Sequence, residues 1–326
     1  MAECTSPASL TVGRSGWAEA VTKHAGIPAS YTICKEGSTY YGLPCFSGGT
    51  KYSETDAAVL INAVIDALAG SPNGGIIFAK RGTYTLGTTV SFDTNNLQLI
   101  GEGMSTNFEQ LTANVPAIQV SASYVGLHNF RIYVSGTAFT SSTALRFITS
   151  SGTALKDCHF SDLIIQTDDA TQAGGTGLGI FTTSTGALYN SLIENVEIYN
   201  FTTGVTLDTS SSGWMSANVL DNFYLNTCKY AIIVDGNTNW GQSPHTNTFR
   251  SMKVQLGGTT VANSVYVKAY CKYNLFDDLQ IYDTTATHEG VLLNADTDFN
   301  KFVNGRFEYF VNNGGGDNAN TGNRMS

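Results

Sequence analysis

Seven segments of the chain repeat one eight-residue pattern: a first residue that becomes Asn in later copies, any residue, apolar, polar, Asn/Asp/Ser, apolar, polar, apolar. They begin at Val125, Cys158, Ser191, Asn218, Asn247, Asn274 and Asn300. A self-similar period in the twenties to low thirties predicts a solenoid. The sixth and eighth positions (Phe223 and Leu225, or Met252 and Val254) alternate with polar residues, as in a strand with one buried face. The third position is also apolar: Leu127, Phe160, Ile193, Leu220, Phe249, Phe276 and Phe302. Going from third to sixth breaks the parity of two, so the chain must bend between them. The bend falls on Asn129, Asp162, Asn195, Asn222, Ser251, Asp278 and Asn304. Asx side chains tolerate left-handed backbone and bond nearby amides, which suits a corner. A second strand follows in most copies: GVTL at 204–207, AIIV at 231–234, SVYV at 264–267 and GVLL at 290–293. Strands restacked at this period without helical crossovers predict an all-β, right-handed parallel β-helix with seven coils. Asn218, Asn247, Asn274 and Asn300 are expected to form a ladder, each amide bonding the next.

Upstream, residues 55–70 read as the one clear helix. Thr55 or Asp56 can cap it, and Val59, Ala63 and Ala67 with Leu60, Val64 and Leu68 form its apolar face. Gly74, Gly75, Phe78, Gly82 and Tyr84 follow, then a strand ending in Gly101 and Gly103. This opening resembles that of the pectate-lyase superfamily of right-handed β-helices, which includes phage tailspikes. Ala79 stands where that family usually has Pro. The resemblance spans roughly residues 53–311 and implies that the helix plugs the open end of the core. It does not imply one activity, because the superfamily holds lyases, hydrolases, epimerases and inert fibres. Residues 1–52 read as an extension with a small hairpin (Thr32–Cys34, turn at Glu36–Gly37, Thr39–Tyr41). They are similar to leader segments of β-helix proteins from archaeal environmental sequences. Residues 312–326 read as a flexible tail.

Composition narrows the setting. Only 13% of residues are charged, against roughly 25% in an average soluble protein, so Ser, Thr, Asn and Gly must supply the polar surface. This favours an extracellular, cell-surface or virion-surface β protein. The net charge of −9 without a Lys/Arg run argues against a nucleic-acid partner. No apolar run approaches the roughly 20 residues that span a bilayer, and the first residues lack the features of an intact signal peptide. None of the six cysteines forms a CxxC pair, which argues against a zinc site. Cys34 and Cys45 flank a turn-rich stretch and are placed to bridge; Cys158, Cys228 and Cys271 read as small core residues.

Candidate chemistry lies on the outward stripe. The fourth repeat position reads His128, Ser161, Glu194, Asp221, Arg250, Asp277 and Val303. Stacked strands lie about 4.8 Å apart, so Glu194 and Asp221 are neighbours and Asp221 and Asp277 straddle Arg250. Retaining glycosidases hold carboxyls about 5–5.5 Å apart and inverting ones about 6.5–9.5 Å; the stripe offers both. Asp221 and Asp277 are the candidate acid and base, with Glu194 third. The plainer reading is a surface ladder in which Arg250 neutralises its neighbours, each pair worth about 0–1 kcal/mol. Tyr199, Tyr224, Trp214 and Trp240, with Arg250, are candidate polysaccharide contacts; alternatively the rings cover the sheet or meet another copy, as in a homotrimer. Asp208 and Asp235, near Trp214 and Trp240, are the fallback. A lyase would need a cation to neutralise a uronate carboxylate and a base for the C5 proton, and no carboxylate cluster for calcium is evident. Asp168–Asp169 read as a solvated turn, although such loop carboxylates would admit calcium. The expected function is polysaccharide binding and degradation, hydrolase over lyase, without a cofactor. A non-catalytic fibre or surface-layer β-helix is the alternative.

Overall fold

A computed structural model describes residues 29–323, apart from 72, 136–140, 150, 169–173, 184, 210–212, 237–242, 256–262, 269, 283–288, 308–309 and 313–316. Trp240 and Asp169 lie outside the described residues.

The fifth repeat position turns the chain. Asn129, Asp162, Asn195, Asn222, Ser251, Asp278 and Asn304 all have φ between 53° and 63°. The turn re-aims the strand, so the third, sixth and eighth positions all face inward. Phe160, Leu163 and Ile165 are buried, as are Phe249, Met252 and Val254. A second left-handed corner stands just before each repeat, at Tyr124, Asp157, Asn190, Ala217, Thr246, Tyr273 and Phe299, with φ from 51° to 60°. Ala, Thr, Tyr and Phe are not natural left-handed residues, so the corner was not legible in residue types. Tertiary bonds hold it: Asn247 Nδ2 donates across the coil below to the carbonyl of Met215, two residues before the corner at Ala217.

Parallel strands then stack in strict register. His128, Ser161, Glu194, Asp221, Arg250 and Asp277 stand opposite one another on successive strands. A second parallel sheet contains Thr203–Asp208, Tyr230–Asp235, Asn263–Val267 and Glu289–Leu293. A third, short sheet, absent from the sequence reading, joins Ala154–Lys156, Ala187–Tyr189, Trp214–Ser216 and Pro244–His245. One continuous core fills the interior. Within it Phe249, Phe276 and Phe302 stack face to face, with centroids 4.5 and 4.4 Å apart. The Asn ladder forms as expected from Asn218 to Asn300, and Asn318 adds a further step.

The coils outnumber the expected seven. Two precede them, built on Gly75–Ala79 and Leu97–Gly101, and a partial one follows. The early coils escaped the pattern because they carry glycines and Lys80–Arg81 instead of the eight-residue motif. Gly74 must be glycine: φ is +67°, and a Cβ would lie 1.9 Å from the Asn96 carbonyl oxygen.

The helix runs Ala57–Ala69, capped by Asp56, whose carboxylate accepts from the Ala58 amide at 2.8 Å. It joins the same core and closes the N-terminal end. Its buried face is Leu60, Ile61, Val64, Ile65 and Leu68. Val59 and Ala67 point outward, against expectation, because Ile61 and Ile65 supply the larger apolar surface and turn the face by one position.

Before the helix, Tyr31–Glu36 and Thr39–Pro44 form the expected hairpin, longer than anticipated. Its first strand also pairs in parallel with Ile77–Ala79, which extends the main sheet by one strand without adding a coil. A Cys34–Cys45 disulfide is ruled out. Cys34 is disulfide-bonded, but Cys45 is a free thiol. The register places Cys34 opposite Tyr41, so Cys45 lies four residues further along, about 13 Å at strand rise, far beyond disulfide reach. The tail is not free either. Ala319–Thr321 pairs in parallel with Lys301–Val303, and Asn318 holds it through the ladder.

Candidate functional site

The stripe on the main sheet assembles as its register requires, and each of its carboxylates has a partner. Arg250 grips Asp221 with both ends of its fork: Nε donates to Oδ1 at 3.0 Å and a terminal nitrogen to Oδ2 at 2.5 Å. That pairing holds the Asp221 carboxyl below the usual carboxylate range, chiefly through the hydrogen bond from Arg250. Arg250 also lies within electrostatic reach of Asp277 and Glu194. Asp277 accepts from the Asn304 amide at 2.9 Å. Glu194 accepts from His159 Nε2 at 2.8 Å. Asp221 and Asp277, two rungs apart, are separated by about 10 Å of sheet.

The tyrosines follow the stripe on the same strands, past the left-handed turns at Asn195 and Asn222. Tyr199 and Tyr224 meet edge to face with centroids 5.9 Å apart. Tyr199 donates to Glu197, and Tyr224 donates to Gln255 at 2.6 Å. Burial, then the bond to Glu197, pushes the Tyr199 hydroxyl well above its ordinary pKa, which keeps it a donor. Trp214 is not beside them. It sits on the short sheet, around the left-handed corner, stacked 5.5 Å from Tyr189 and 6.2 Å from His245. The fallback carboxylates Asp208 and Asp235 face each other in register on the second sheet, and Lys268 pairs with Asp235 at 2.6 Å. They share no surface with Asp221. Among the described residues, no group of three His, Cys, Asp or Glu is arranged to hold a metal ion.

The repeat pattern did not bring two histidines together as a candidate pair. His128 and His159 sit on neighbouring coils with ring centroids 5.0 Å apart at 72°. His128 Nδ1 lies 3.0 Å from Ser161 Oγ, and Ser161 donates to Asp162 at 2.9 Å. Burial, with His159 next to it, lowers the His128 pKa to about 4, against a smaller opposing effect of Asp162. A usable signal was present: the two histidines are separated by one 33-residue period less two, which makes them diagonal neighbours on one face. Both line a cavity of about 540 Å³ at the N-terminal end of the stripe.

No family model matches the chain, and no curated protein matches it in sequence. Solved structures do match. The chain is similar to ORF18 of Geobacillus virus E2, at 12% identity and TM-score 0.52, over 95% of this chain and 73% of that one. It is similar to the enzymatically active domain of tailspike protein 2 of bacteriophage CBA120, at 13% identity and TM-score 0.55, over 91% and 46%. Full-length tailspike protein 2 matches at 13% identity and TM-score 0.54, over 91% and 41%. The chain thus spans less than half the length of either tailspike chain. At such identities the likeness is one of fold alone: a right-handed parallel β-helix.

Proposed function

We propose that this protein binds a polysaccharide along the outward stripe and cleaves it by hydrolysis in preference to β-elimination. The observation that carries this reading is the Asp221–Arg250–Asp277 arrangement. Two carboxylates on a rigid parallel sheet flank a cation, one of them kept ionised by it. Asp221 serves as the base that takes a proton from water. That water attacks the anomeric carbon while the Asp277 carboxyl serves as the general acid for the departing glycosidic oxygen. The separation of about 10 Å lies near the inverting range of about 6.5–9.5 Å. Tyr199 and Tyr224 would stack the chain alongside, with Glu194 as the third carboxylate. The proposed setting is extracellular, on a cell surface or on a virion, and the proposed assembly is a homotrimer, testable by light scattering.

A second reading, a non-catalytic adhesive or structural fibre, is favoured by one observation: Glu194, Asp221 and Asp277 already have partners within the chain. A polysaccharide panel assayed for new reducing ends and for the ultraviolet absorbance of an unsaturated uronate separates the readings. Reducing ends without that absorbance support hydrolysis, the absorbance indicates a lyase, and binding without either indicates the fibre.

A further inference from the structure

We propose that the cleft between His128 and His159 is a separate carbohydrate-binding site, in which a sugar hydroxyl donates to His128 Nε2. The inference rests on the polysaccharide reading only for the class of ligand; its geometry is independent of Asp221 and Asp277.

One missing side chain sets the pose of the His128 ring in the cleft. Gly126 stands in register between Gln98 and His159. A Cβ at 126 would lie 2.6 Å from His128 Nε2 and 3.0 Å from Gln98 Cγ. Glycine therefore lets the His128 ring fold over the strand, with Nε2 seated close to where a Cβ would otherwise lie. The cavity of about 540 Å³ falls within the range of about 300–1,000 Å³ that small ligands occupy.

Hydrogen bonding fixes which nitrogen is free. The Ser161 hydroxyl spends its proton on Asp162 Oδ2. Its oxygen must then accept from His128, so Nδ1 carries the ring proton. In the neutral ring, Nε2 is left with a lone pair, on a ring that lines the cleft. Burial keeps that ring neutral at physiological pH. The second wall is anchored as well, because His159 Nε2 is bound to Glu194.

The rest of the lining suits a sugar. Tyr124, 41% exposed, supplies an aromatic wall, and Asn73, Asn96 and Gln98 supply amide donors and acceptors. Amides with one aromatic ring and a neutral imidazole acceptor match a polyhydroxyl ring better than an anion, which would meet the Nε2 lone pair unfavourably.

The test uses the full chain on a printed array of neutral, amino-sugar and uronate oligosaccharides. Wild type is expected to retain at least one neutral or amino-sugar class. Gly126→Ala, which displaces the His128 ring but removes no polar group, should weaken retention at least about tenfold, and His128→Gln should do the same. Nitrogen-15 NMR should show His128 protonated at Nδ1, with Nε2 shifting on ligand addition. Unchanged thermal midpoints separate loss of the site from loss of the fold, and His128→Gln decides if Gly126→Ala unfolds. Retention of nothing, retention of uronates alone, or retention unaffected by both variants overturns the proposal. If Asp221→Asn and Asp277→Asn abolish retention while Gly126→Ala and His128→Gln do not, the stripe reading survives and the cleft proposal falls. The reverse pattern leaves the cleft standing without the stripe.

Discussion

Asn247 Nδ2 and the Asn247 backbone amide both donate to Asn274 Oδ1, each at 3.1 Å. The same double bond recurs between Asn218 and Asn247, and between Asn274 and Asn300. Each side chain thus completes the backbone bonding of the coil below it, inside the core. Replacing Asn247 by Leu would strand the Asn218 amides and the Met215 carbonyl. At about 1–3 kcal/mol for each unsatisfied buried group, we expect a loss of about 3–5 kcal/mol in urea unfolding. A loss below about 1 kcal/mol would mean that the ladder is incidental.

Phe249 lies fully buried against Phe276. Truncating Phe249 to Ala should cost about 3–5 kcal/mol, as large core cavities do. Equilibrium denaturation giving less than about 1 kcal/mol would contradict its burial.

The corner before each repeat is strained where it lacks Asn or Gly. Ala217 has φ of +54°. Left-handed backbone costs an L-residue roughly 1–2 kcal/mol, while glycine adds unfolded-state entropy of about 0.5–1 kcal/mol. Ala217→Gly should therefore raise stability by up to about 1 kcal/mol, seen as a higher melting temperature. Val at Asn222, whose φ is +53°, should lower it. A melting temperature that falls in Ala217→Gly would show that the corner is relaxed.

Acid should act through His128. Its folded pKa of about 4 lies below the unfolded value of about 6.5. Between those values the unfolded chain binds a proton that the folded chain refuses, so stability is full above about pH 6.5 and falls as pH drops towards 4. Of the neighbouring groups, His159 deepens the shift and Asp162 opposes it. For a half-buried ring we expect a loss of about 2 kcal/mol. His128→Gln should remove that part of the pH dependence. An identical acid limb in the variant would place the sensitivity elsewhere.

Much of the fold was legible because the repeat encodes both faces of each strand. Inward Phe160, Phe249 and Phe276 follow from position alone, as does the left-handed turn at Asn222. The short sheet and the corner at Ala217 and Phe299 were not legible, because bonds from the next coil impose them against local preference. The stripe was read correctly as a column, since register follows from the repeat. The His128–Ser161–Asp162 chain was missed although His128 and Ser161 share the fourth repeat position and stand directly in register, because the repeat fixes neighbours but not which of their side chains bond, and Asp162 enters from the adjacent corner. The fate of Cys45 depended on hairpin register, which a turn-rich sequence leaves open.

The most direct measurement concerns the stripe itself. Once the polysaccharide panel yields a substrate, reducing-end release is compared between wild type, Asp221→Asn and Asp277→Asn, each checked for an unchanged melting temperature. A general acid or base contributes about 10²–10⁴-fold, and each substitution is expected to lower the rate by that much. Folded variants that retain activity within a few-fold would contradict the catalytic assignment and leave Asp221, Arg250 and Asp277 as a salt ladder.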